Sequence, residues 1–239
     1  MTPRPWLHAG ERPFLLVGTG GGGTRVLAET ALRLGVHLGQ RLNESFDSVE
    51  WAPLVYSLVL DGGDGTERIR EHAAAIHAPW AIGDRPWGLK LPELTLCLPQ
   101  FFAAFPAARV VFLARHPVAA SLRRPHVTST PGHPLGDLVL GEARGRPQHL
   151  LNAHAWRVQV ERVTRALADL PRPRVLRLRL EDFGRDPVGT TATLAAFLER
   201  PMDSKAVVRV DDERLHVRAD RRAAEVMAVC GDLAGELGY

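Results

Sequence analysis

The sequence predicts one α/β domain over residues 1–239, with a central parallel sheet flanked by helices. Short apolar runs that read as strands lead directly into stretches of helical periodicity, and this alternation favours parallel strands joined by helical crossovers. Neither a repeat nor a low-complexity linker divides the chain. Its 239 residues fit one large domain.

The first strand is PFLLVG (13–18), which opens into glycines and then TRVLAETALRLG. Val26, Leu27, Thr30, Ala31 and Leu34 fall at helical spacing there, and Gly35 is a stop signal. A weak strand is expected at Val36–Leu38. In ARVVFLARHP, Val110 to Leu113 read as a buried parallel strand, and Pro117 opens the next helix in its favoured first turn. Val175, Leu176, Leu178 and Leu180 mark a fourth strand, followed by Asp186 as cap and Pro187 at the start of VGTTATLAAFLER. Helices also fit 66–78, 92–105, 149–170 and 220–237. Residues 125–148, with four prolines and four glycines, read as a long loop over the fold.

Composition narrows the function classes. The chain is 45% apolar and 24% charged, ordinary for a soluble globular protein. A net charge of +3 is too small to argue for nucleic acid. The N-terminal MTPRPWLHAGERP lacks an apolar h-region, so no leader is expected. No apolar run approaches the ~20 residues of a membrane span, and a cytoplasmic location is the expectation. Cys97 and Cys230 read as buried thiols. Lys90 and Lys205 are the only lysines among 30 basic residues. That imbalance is mostly genomic, yet it singles out Lys90.

Gly18-Thr19-Gly20-Gly21-Gly22-Gly23-Thr24-Arg25 joins a strand to a helix. Backbone N–H groups at a helix start, with no side chains in the way, suit a phosphate or sulfate. Three known loops compete for this stretch. Gly18, Gly20 and Gly23 match the dinucleotide fingerprint, but Gly35-Val36-His37-Leu38-Gly39 stands where the ribose-binding acid belongs. The Walker loop fits Gly18 and Gly23, but then reads Thr24-Arg25 in place of Lys and Ser/Thr. The third is the loop that grips the 5′-phosphosulfate of a sulfuryl donor.

Taken in order, the segments resemble the bacterial-type sulfotransferases that use 3′-phosphoadenosine 5′-phosphosulfate (PAPS). FLLVGTGGGGTRVLAETALRLGVHLG is similar to their 5′-phosphosulfate loop, and WGLKLP (87–92) to the motif before the core strand. FPAARVVFLARHPVAASL (105–122) resembles their 3′-phosphate motif, and RLRLEDFGRDPVGTTATLAAFL (177–198) their Glu-Asp segment. LNESFD (42–47) and the terminal LGY also fit. The resemblance implies a three-layer P-loop-like fold, PAPS as donor with adenosine 3′,5′-bisphosphate as product, a small-molecule acceptor and no metal. Two departures stand out. Gly21-Gly22 replaces the Arg-Ser of the family loop, and Arg123 stands where the motif's serine falls, with Ser121 two residues early.

The resemblance assigns donor binding to Gly20, Gly21, Gly22, Gly23, Thr24, Arg25, Arg115, Ser121 and Arg123. Independently, Arg115 ends a central strand, where such sheets bind ligands. Lys90 falls where cytosolic members carry a catalytic histidine. A lysine there is a poor base unless strongly desolvated, so sulfate stabilisation is its expected role. Glu44 and Asp47 are the candidate bases, Glu44 preferred, with helix capping as the plain alternative. His126, His133 and His154 lack metal-ligand spacing and carry no assignment. Trp156 is expected in the core, with packing against the adenine as the alternative. A regulatory nucleotide-binding domain or, less favoured, an NTP-dependent kinase are the alternatives. Phe46, Trp51, Leu54 and Tyr56 fit a partly hydrophobic acceptor or a core equally well, and the oligomeric state is open.

Overall fold

The computed structural model describes residues 11–77, 80, 85–211 and 220–239. The first ten residues, on which the expectation of no leader largely rests, lie outside them, as does the expected end of a helix at residue 78.

Four parallel strands form the sheet in the order β2-β1-β3-β4. They are β1 (Phe14–Gly18), β2 (Gly88–Lys90), β3 (Arg109–Ala114) and β4 (Val175–Arg179). β1 pairs Leu16 with Lys90 on one side and with Val111 on the other. Alternate side chains feed two cores, as the pleat requires. Leu15, Val17, Val110 and Phe112 enter one core, with Trp51, Phe101 and Trp156. Phe14, Leu16, Val111 and Leu113 enter the other, with Leu27, Leu194 and Leu198. The result is three layers.

α1 (Thr24–Arg33) and α9 (Pro187–Phe197) cover the second face. α2 (Ala52–Asp61), α3 (Thr66–His77), α4 (Leu98–Ala104), α7 (Gln148–Ala168) and α10 (Ala223–Glu236) pack on the first. α5 (Pro117–Ser121), α6 (Pro134–Leu140) and α8 (Leu180–Arg185) are short connections at the carboxyl ends of the strands or over them. Pro187 opens α9 and Asp186 caps it, its carboxylate accepting from the Gly189 N–H at 2.9 Å. Trp156 is buried, as expected, and Cys97 and Cys230 are free buried thiols, burial pushing both up to about 12.

Four expectations need correction. Val36–Leu38 is not a strand of the sheet; His37 makes one parallel bridge to Trp87, and the neighbour of β1 is β2 instead. Gly35 and Gly39, both with positive φ, bound that stretch too tightly to propagate a ladder. The helix expected over 92–105 is broken at Cys97, between a 3-10 turn (Pro92–Leu96) and α4. Residues 125–148 are not a bare loop; they hold a 3-10 turn (Val127–Ser129), α6 and a second 3-10 turn (Gly141–Gly145). α2 was not expected at all. Among the described residues no helix is long and apolar enough to cross a membrane.

Candidate active site

A cleft of about 510 Å³ lies across the carboxyl ends of the strands. The strand order sets what lines it: Lys90 from β2, the glycine loop after β1, Arg115 after β3 and Leu180 after β4. Ser45, Asp47, Arg25, Arg123, Arg124 and His126 complete its charged and polar wall.

The glycine loop folds on itself before α1 begins. The Gly22 N–H donates to the Thr19 carbonyl at 2.9 Å, and the Gly20 N–H to Gln159 Oε1 at 3.4 Å. Those two groups therefore serve the loop's own shape. The N–H groups of Thr24 and Arg25 open α1, where helix geometry provides no carbonyl a turn earlier and no side chain caps the end. They aim the positive end of the helix at the cleft. Two glycines are required here. Gly23 has φ of 84°, and a Cβ on it would meet Leu180 at 2.6 Å. A Cβ on Gly20 would strike Cβ and Cγ of His126, both at 2.5 Å.

Arg115 is 4% exposed, and its Nη1 donates to the Gly21 carbonyl at 2.9 Å. Trp156 Nε1 in turn donates to the Arg115 carbonyl at 3.2 Å. Strand, core tryptophan and loop thus hold the guanidinium in place before any ligand arrives. Glu181 accepts from the His116 N–H and from the Tyr239 hydroxyl, each at 3.0 Å, while Asp182 pairs with Arg179 and Arg185. Arg123 lines the cleft; Ser121 is buried at 1% exposure outside its lining.

Lys90 is 2% exposed at the end of β2. Its Nζ donates to Asp47 Oδ1 at 2.5 Å and to the Ser45 carbonyl at 3.0 Å. Burial pulls its pKa down, opposed by the Asp47 carboxylate. The segment 43–48 is pinned to make this contact. Asn43 Oδ1 accepts from the N–H groups of Ser45 and Asp47, both at 2.9 Å. Asn43 Nδ2 donates to Asp47 Oδ2 at 2.8 Å, and Ser48 Oγ accepts from the Lys90 N–H at 3.0 Å. Glu44 is exposed and does not line the cleft. Arg25 lies over the Phe46 ring at 5.8 Å.

Sequence reasoning passed over several residues here. Arg124 lines the cleft next to Arg123, and Gln159 supports the loop from α7. Glu93 is 4% exposed behind the Lys90 wall, where it accepts from the Tyr56 hydroxyl at 3.3 Å and faces His126 Nε2 at 3.6 Å. Glu93 is the residue after Lys90-Leu91-Pro92, so its place beside that motif was the available signal.

Known proteins resemble this arrangement in sequence profile and in fold. The profile of the sulfotransferase family matches residues 32–204, a span that contains Lys90 and Arg115 and begins after the glycine loop. No curated protein matches the chain significantly. Among solved structures, the sulfotransferase domain of the curacin biosynthetic pathway aligns with a TM-score of 0.59 at 14% identity, covering 94% of this chain and 98% of that one. The sulfotransferase domain of the Synechococcus PCC 7002 olefin synthase gives 0.58 at 15%, covering 97% and 96%. A sulfotransferase from Alicyclobacillus acidocaldarius gives 0.54 at 16%, covering 95% and 96%. These likenesses establish the fold, and the profile match over most of its length establishes that the chain belongs to the sulfotransferase family.

Proposed function

We propose that this protein transfers a sulfuryl group from PAPS to a hydroxyl or amine of a small-molecule acceptor. The observation that carries the reading is the order across the sheet. The helix-start N–H groups of the glycine loop lie between a buried lysine on β2 and a fixed arginine after β3. A nucleotide with anionic groups at both ends matches that spread of positive charge, and the cleft of about 510 Å³ has room for it.

PAPS would supply an activated sulfuryl group, and the chain's part is to bind, orient and handle charge. Arg115, with Arg123 and Arg124 beside it, would hold the 3′-phosphate through charge-assisted hydrogen bonds worth about 1.5–3 kcal/mol each. The loop, Thr24 and Arg25 would hold the 5′ end. Lys90 donates to Asp47 and to the Ser45 carbonyl, and its role would be to stabilise negative charge developing on the departing oxygen. Asp47 reaches the cleft, and we assign it, rather than Glu44, the acceptor's proton. A magnesium-bound nucleotide lacks its hydroxyl here, since Arg25 follows Thr24 where the Walker loop has Ser or Thr.

Calorimetry with adenosine 3′,5′-bisphosphate tests donor binding. Binding without magnesium that weakens at least ~10-fold in Arg115→Ala is expected. Magnesium-dependent ATP binding would favour a kinase instead. Transfer of labelled sulfate into an acceptor library tests catalysis, and binding without transfer to any acceptor would favour a regulatory domain.

A further inference from the structure

The loop of this chain has glycines, Gly21-Gly22, where the family pattern places a cation and a hydroxyl, and a histidine sits against the preceding Gly20. His126 precedes the 3-10 turn Val127–Ser129, and its ring rests on Gly20 so closely that no side chain would fit there. The ring's position is fixed by its own turn. The His126 carbonyl accepts from Thr130 Oγ1 at 2.8 Å, and its N–H donates to Ser129 Oγ at 3.0 Å. On its far side Nε2 faces Oε1 of Glu93 at 3.6 Å. Oε2 of that 4% exposed carboxylate has no hydrogen-bond partner among the described residues. Such a buried carboxylate needs a positive charge close by.

We propose that His126 supplies the missing cation of the glycine loop: when a sulfate- or phosphate-type anion settles at the start of α1, the imidazole takes up a proton from solvent and is held, charged, between the anion and Glu93. This deepens the reading of the cleft as a PAPS site and rests on it.

The geometry provides for both protonation states. In the neutral ring Nδ1 accepts from the Thr128 N–H at 3.4 Å, which leaves the proton on Nε2, directed at Glu93. In the charged ring Nδ1–H can donate to Thr128 Oγ1 at 3.1 Å. Without an anion, burial is the largest influence on His126 and disfavours its charged form. Glu93 and Asp47 favour the charged ring, while Lys90 on β2 and His133 at the start of α6 oppose it, and Arg124 lines the same cleft. The empty site therefore keeps His126 neutral near pH 7. A dianion among those cations removes the opposition. His126 then contributes its charge beside the anion, without a hydrogen bond of its own to it.

Proton NMR of the ring C–H resonances tests this, with His126 assigned by its loss in His126→Asn. The asparagine oxygen can still cap the turn. Titrations are run on the intact protein alone, with inorganic sulfate, which does not titrate in this range, and with adenosine 3′,5′-bisphosphate. The expected result is a His126 pKa at least one unit higher with either ligand. Nucleotide affinity should then rise a few-fold from pH 8 to pH 6, relative to the change seen in His126→Asn, and approach about tenfold only below the pKa of the empty site. A His126 pKa unmoved by bound nucleotide and by sulfate overturns the proposal. If sulfate raises it but the nucleotide does not bind, the loop cation stands and the PAPS reading falls.

Discussion

Replacing Lys90 by methionine should destabilise the fold through the partner it leaves behind. The ammonium is 2% exposed and lies 2.5 Å from an Asp47 oxygen that is itself in a side chain only 18% exposed. At an effective dielectric near 20, that separation corresponds to about 6–7 kcal/mol of attraction. Burial of the ammonium costs several kcal/mol in the opposite direction. Partial exposure of Asp47 lets water take over some of the stabilisation once the lysine is gone. The net coupling should therefore be about 2–3 kcal/mol, well above the 0.2–1 kcal/mol typical of exposed pairs. A double-mutant cycle with Lys90→Met, Asp47→Leu and the double variant, read by urea denaturation, measures it. The double variant should cost about 2–3 kcal/mol less than the sum of the singles, while turnover is lost in all three. A coupling below about 0.5 kcal/mol would refute the description of this pair as a buried, mutually dependent unit.

Other consequences follow from the same packing. Gly20→Ala forces a Cβ onto the His126 side chain at 2.5 Å, so it should cost about 1–3 kcal/mol in thermal denaturation and weaken binding of adenosine 3′,5′-bisphosphate. Tyr239→Phe removes the hydroxyl that donates to Glu181, which also accepts from the N–H next to Arg115; nucleotide affinity should fall a few-fold with little change in far-UV circular dichroism. His77 stands 4.0 Å from each of the Trp80 and Trp87 rings, and burial pushes its pKa down to about 3. The unfolded chain binds that proton below pH 6.5 and the folded chain does not. Stability should thus be full above that pH and fall by about 1.4 kcal/mol per unit below it, towards pH 3. His77→Phe should flatten the fall seen by urea denaturation between pH 7 and pH 5.

Strands β1 and β3 could be read from the sequence because both their faces are buried, giving continuous apolar runs, whereas β4, a partly exposed edge strand, showed itself by Leu176 and Leu178 alternating with arginines. β2 could not. It has three residues, Gly88-Leu89-Lys90, and takes its strand character from pairing with β1 alone. A single buried lysine in so short a segment reads as a break in a strand, although here it is the end that delivers an ammonium to the cleft. The false strand at Val36–Leu38 is the same problem reversed. Val36 and Leu38 are buried, but they pack in the core without a ladder beyond His37. α2 escaped notice because Ala-Pro-Leu-Val-Tyr-Ser-Leu-Val-Leu-Asp is apolar on more than one face. One stripe meets the core, while Tyr56 turns towards Glu93.

The site divides along a related line. Residues at strand ends or at the start of α1 are visible in sequence because local rules put them there: Arg115 before Pro117, Thr24 after the glycines, Lys90 before Pro92. His126 and Arg124 reach the cleft only because the chain after α5 folds back over the glycine loop. That return depends on contacts distant in sequence. Asn152 on α7 donates to the Ser121 and Arg123 carbonyls at 2.8 and 3.0 Å, and Gln148 to the Ser129 carbonyl at 3.0 Å. α7 therefore does two jobs at once: Gln159 and Trp156 brace the loop and Arg115 from below, while Asn152 and Gln148 hold the covering turn above. Spacing along the chain between His126 and Gly20 carries no trace of this. If α7 sets that separation, Asn152→Ala should loosen the 123–129 turn. Hydrogen exchange should then rise at Ser129 and Thr130, and anion affinity should fall while the core stays folded. Unchanged exchange there would mean the turn is held by its own capping bonds at His126 and Ser129 alone.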